Sequence, residues 1–75
     1  MKAILEFDLS EDTEEYRMHT QTLAMYSALH EMQQFLRQKI KYADDDVSDD
    51  ALNAYEECRD FLSQLLVDNQ VNLEI

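Results

Sequence analysis

The sequence predicts a mainly α fold, an antiparallel helical hairpin with short terminal β-strands, and three observations carry that expectation. The 75-residue chain contains no glycine and no proline, so glycine-built turns and left-handed helix caps become costly, leaving helix and plain strand. Apolar residues recur at spacings of three, four and seven on both sides of residue 44, the repeat of an amphipathic helix. Between the two runs lies DDDVSDD, residues 44–50, with five carboxylates in seven positions.

The elements follow in order. Residues 3–9, AILEFDL, put Ala3, Leu5, Phe7 and Leu9 on one face and Ile4, Glu6 and Asp8 on the other, a period of two that predicts a half-buried strand. The cluster SEDTEE then offers Ser10 or Asp12 as an N-cap, with Glu15 as capping-box partner to Asp12, so a helix should begin between residues 10 and 13. Met18, Met25, Leu29, Met32, Leu36 and Ile40 define its apolar stripe. One helix over about 12–42 would span roughly 45 Å; a kink near Thr20–Thr22, giving three helices, is the competing arrangement. Ser48 is placed to cap a second helix over 49–68, Val47 and Leu52 forming a hydrophobic staple. Ala51, Tyr55, Cys58, Leu62 and Leu65 form its inward stripe, where Cys58 reads as a small core residue. Tyr26, Tyr42 and Tyr55 read as core margin, rings buried and hydroxyls reaching water. Val71, Leu73 and Ile75 alternate with polar residues and predict a short terminal strand or extended tail over 71–75.

One domain, 1–75, accounts for this length. The second helix cannot cover the whole stripe of a longer first helix, and a two-stranded sheet is marginal alone, so the chain is expected to be homo-oligomeric. A lone cysteine, Cys58, excludes an internal disulfide and suits a reducing compartment. Without a long apolar run behind a basic start, the chain is expected to be soluble and unprocessed, with no membrane partner. Seventeen acidic residues against six basic give a formal charge of −11, which repels phosphate backbones and argues against direct nucleic-acid binding.

The acidic loop has three readings. As a calcium loop starting at Asp44 it has oxygen donors at Asp44, Asp46, Ser48 and Asp50, but Asp49 stands where glycine is needed and Tyr55 where a bidentate glutamate is needed, so no metal site is assigned. As a decoy, Asp44, Asp45, Asp46, Asp49 and Asp50 present an acidic surface that could occupy a DNA-binding groove on another protein. As a connection, they end one helix and start the next, where carboxylates favour the positive helix end.

Catalytic constellations are thin. Glu11 with Glu14 and Glu57 with Asp60 each make an E-x-x-[ED] pair that resembles those of all-α nucleotide pyrophosphohydrolases, which hold Mg²⁺ between helices; the chain is short for their four-helix sites. His19 and His30 lie eleven residues apart, about 16 Å along a helix, too far to share one ion. Neither a catalytic residue nor a cofactor is assigned. A strip on the first helix does stand out: His19, Tyr26, His30, Arg37 and Lys41 fall in one narrow sector. It is the one basic and aromatic surface of an acidic chain, and tyrosine and arginine are favoured interface anchors. With Tyr42 beside it, the strip is the candidate site for a partner or a small anionic ligand; its bland alternative is a solvated flank.

Two segments resemble a group of small, largely uncharacterised bacteriophage proteins: the opening MKAILEFDL-x-ED, and YSAL-x6-LR-x3-KY, running from Tyr26 to Tyr42. The similarity covers much of the first 42 residues. This chain has Ser10 where that group leads one to expect proline, and no tryptophan near residue 30. The resemblance implies a phage accessory protein in the cytoplasm of the infected bacterial host, acting without catalysis by binding and inhibiting or modulating a host protein, such as a defence component. The alternatives are an acidic DNA-mimic inhibitor and an oligomeric binder of a small anionic nucleotide.

Overall fold

The computed structural model describes residues 1–74 and contains three helices: α1 (Thr13–Thr20), α2 (Thr22–Lys41) and α3 (Asp49–Asp68). The chain is mainly helical, and α2 and α3 pack against each other as an antiparallel hairpin across the 42–48 connection. Among the described residues no helix is long and apolar enough to cross a membrane.

The connection forms as a polar turn. Asp44 accepts the backbone N–H of Asp46 on its side chain at 3.0 Å and that of Val47 on its carbonyl at 3.1 Å, an Asx turn that reverses the chain without glycine. Ser48 then accepts the Ala51 N–H at 3.1 Å, satisfying one of the unpaired donors at the start of α3, and Asp49 and Asp50 sit in its first turn. Val47 and Leu52 are both half-buried.

The expected 12–42 helix is divided at Gln21, which ends α1 and starts α2 with φ −96° and ψ 0°. Two threonines account for the break. Thr20 donates to the Arg17 carbonyl at 2.8 Å and Thr22 to the Met18 carbonyl at 3.3 Å, and such back-bonding competes with the helical ladder and bends it. The competing three-helix order is therefore present, but α1 contacts α2 alone and not α3, so it is an arm and not a third member of a bundle. Its start matches expectation at Asp12, although Asp12 makes no capping bond; its carboxylate instead accepts the Asp8 N–H at 3.1 Å, and no Asp12–Glu15 capping box forms.

The terminal strands expected at 3–9 and 71–75 are absent among the described residues; Ile75 lies outside them. A strand needs a ladder partner, and each terminus packs on a helix instead. Phe7 sits edge-on to Tyr16, ring centroids 5.7 Å apart, and 5.1 Å from the His19 ring. At the other end, Gln70 adopts a left-handed conformation, φ 57°. Its N–H donates to the Val67 carbonyl at 3.1 Å, and that of Val71 to the Leu66 carbonyl at 2.8 Å, the pair of bonds of a Schellman turn. This turn sends the tail back over the hairpin, where Leu73 is 4% exposed and its carbonyl accepts the Tyr26 hydroxyl at 2.6 Å.

Among the described residues the buried ones are Leu36, Leu66 and Leu73. The molecule measures 55 × 28 × 20 Å with a radius of gyration of 17.5 Å, against about 11 Å for a compact chain of this length. It exposes 6904 Å², where a compact 8.9 kDa protein exposes about 4,800 Å². Much of the excess is apolar: Met25, Met32, Phe35, Phe61 and Leu65 are all exposed. Cys58, expected in the core, is exposed as well, lining an open groove with Phe61 and Leu65.

Candidate partner-binding site

The basic and aromatic strip is divided by the fold. His19 lies beyond the Gln21 break and packs on Phe7. Tyr26 and His30 are half-buried and stacked, their planes 11° apart with centroids 6.3 Å apart. The Tyr26 hydroxyl, expected to reach water, is bonded to the tail. Tyr26 thus holds the C-terminal segment, with His30 stacked on its ring.

Arg37 lies three helical turns further on, about 16 Å along α2 from Tyr26. There Arg37, Lys41 and Tyr42 come together with Gln34 and Gln38 around a concavity of about 220 Å³ at the loop end of the hairpin. The positions 34, 37, 38 and 41 share one face by the helical repeat. Sequence reading missed Gln34 and Gln38, although that same spacing from Arg37 and Lys41 marks them. The site is a set of donors: a guanidinium, an ammonium, two carboxamides and a phenol. Lys41 also lies over the Tyr42 ring, 5.4 Å from its centroid, which orients the exposed ring through a cation–π contact.

Five carboxylates stand a few residues away, yet the cations of the site are not neutralised by them. Among the described residues the one ion pair is Arg59–Asp60, at 3.1 Å. Asp44, Asp45, Asp46, Asp49 and Asp50 are all exposed, and the turn and cap described above direct the loop's hydrogen bonds to its own backbone. No group of three or more His, Cys, Asp or Glu among the described residues is placed to hold a metal ion. No family model, curated protein or solved structure matches the chain.

Proposed function

We propose that this chain is a non-enzymatic phage accessory protein, homo-oligomeric in the cytoplasm of the infected bacterial host, that binds and inhibits or modulates a host protein such as a defence component. The phage context rests on the resemblance of the opening segment and of the Tyr26–Tyr42 segment. The binding role rests on one observation: Arg37 and Lys41, unpaired with any described acid, line a donor-rich concavity in a chain of charge −11. Such a site takes an anionic group, and a carboxylate on a partner protein is the fitting occupant, since charge-assisted bonds from arginine are strong and directional. Affinity capture from host cells with the wild type and with the Arg37→Glu/Lys41→Glu double variant tests this. A host protein held by the wild type and lost by the variant is the expected result; one held equally by both, or by neither, refutes it.

A second reading takes the anion to be a small nucleotide. The concavity, at about 220 Å³, is below the ~300–1,000 Å³ of ligand pockets, so it fits one phosphate group, and a nucleotide would need elements of a second copy. Acidic mimicry of DNA stays attached to the five exposed loop aspartates; neutralising them should abolish binding if it operates.

A further inference from the structure

We infer that a second copy of this chain covers the open apolar face of the hairpin, in a two-fold dimer whose acidic loops lie at opposite ends. The face is continuous across both helices. Met32 and Phe35 from α2 meet Cys58, Phe61 and Leu65 from α3 around a groove of about 430 Å³ whose lining is almost entirely apolar. Phe61 is 66% exposed and Phe35 48%. With large side chains offering on the order of 200 Å² each, the exposed apolar residues of this face amount to about 500–600 Å² per copy, at the upper limit of what a monomer leaves uncovered.

Area selects the occupant. A stable interface buries about 800 Å² on each partner, and the exposed apolar residues of this face alone amount to about two thirds of that. The chain as a monomer exposes roughly 2,000 Å² more than a compact protein of its mass, and the three buried leucines among the described residues make a small core for 75 residues. Two hairpins packed face to face make a four-helix bundle, the arrangement in which single-layer hairpins bury their second side.

Charge selects the orientation. Each loop end carries five aspartates against Arg37, Lys39 and Lys41, a net negative charge. Loops at opposite ends are separated by the length of a 20-residue helix, about 30 Å, several Debye lengths at physiological salt. In that arrangement α3 crosses its own copy antiparallel near its midpoint. Cys58 is the tenth of the twenty residues of α3 and lies on the open face, so the two Cys58 thiols meet at the axis.

This inference rests on the reading that the chain is homo-oligomeric, and its test is separate from that of the host partner. Light scattering coupled to gel filtration should give twice 8.9 kDa for the reduced wild type. Phe61→Glu, and independently Phe35→Glu on the other helix, should halve the mass, while Val67→Glu, at an exposed position outside the groove, should leave it unchanged. Circular dichroism checks that the variants remain helical, and if both groove variants unfold, Cys58→Arg serves in their place. Mild oxidation of the wild type should yield a covalent dimer that Cys58→Ser does not form. A monomeric wild type, whether empty or holding a foreign helix, overturns the proposal, as does a dimer indifferent to the groove variants. A non-covalent dimer without the Cys58 cross-link overturns the opposite-end arrangement. Arg37→Glu/Lys41→Glu should remain dimeric, so loss of the host partner and loss of the dimer are distinguishable.

Discussion

Shortening Leu73 to alanine measures what the returning tail contributes. Leu73 is 4% exposed, so the change removes nearly the whole transfer energy of a leucine side chain, and buried Leu→Ala substitutions cost about 2–5 kcal/mol. Near a terminus the neighbouring chain can relax into the space, which places the expected loss near the lower figure, about 2 kcal/mol. For a domain of this length, with total stability of roughly 4–11 kcal/mol, that is a large fraction. It should lower the melting temperature by roughly 8–16 °C, followed by circular dichroism at fixed protomer concentration because self-association makes melting concentration-dependent. Tyr26→Phe removes only the 2.6 Å bond to the Leu73 carbonyl and should cost about 1 kcal/mol. The double variant should lose less than the sum, since a tail freed by Leu73→Ala no longer presents that carbonyl. A Leu73→Ala loss under about 0.5 kcal/mol, typical of a surface position, or strict additivity of the pair, would refute the docking.

Two further outcomes are expected. Gln70 holds a left-handed conformation that costs a side-chain-bearing residue about 1–2 kcal/mol, partly offset by the added backbone freedom of glycine; Gln70→Gly should therefore stabilise by about 0.5–1 kcal/mol in urea unfolding, and destabilisation would contradict the turn. Bonds from the Ser10 hydroxyl, then from the Ser10 backbone, hold the Asp8 carboxyl below its ordinary value of 3.8. A depressed folded value means the contribution of the Asp8–Ser10 bonds is present above pH 3.8 and is lost as pH falls through the lower folded value. Carbon NMR titration should find Asp8 below 3.8, with Ser10→Ala moving it up; an Asp8 that titrates at or above 3.8 in the wild type rules the Ser10 bonds out.

The parts of this fold legible in the sequence are those set by local chemistry with a distinctive residue. The second helix was readable at both ends because Ser48, Asp49 and Asp50 supply cap and dipole partners, and the apolar repeat fades at Asp68. The break at Gln21 was less visible: with no glycine or proline, only the hydroxyls of Thr20 and Thr22 mark it. At the C-terminus, alternation at Val71, Leu73 and Ile75 looks the same whether it faces a ladder or sets a single anchor into a hairpin. What decided between them was a left-handed Gln70, where a helix end commonly carries glycine. Of the candidate strip, Arg37 and Lys41 share a site because four residues bring the helix back to one face, and Tyr42 follows at its end. Tyr26 and His30 share the sector but lie at the height of the tail, which is a long-range fact that periodicity does not contain.

The Gln21 joint divides the molecule into regions that open at different rates. The eight residues of α1 include no buried side chain, and α2 is the only helix they touch; helices shorter than about 12–15 residues are marginal without support. Its amides should therefore exchange with solvent deuterium by local fraying, well before those around Leu36 and Leu66, which wait for the hairpin itself to open. The chain thus carries an arm whose local opening leaves the hairpin behind it closed.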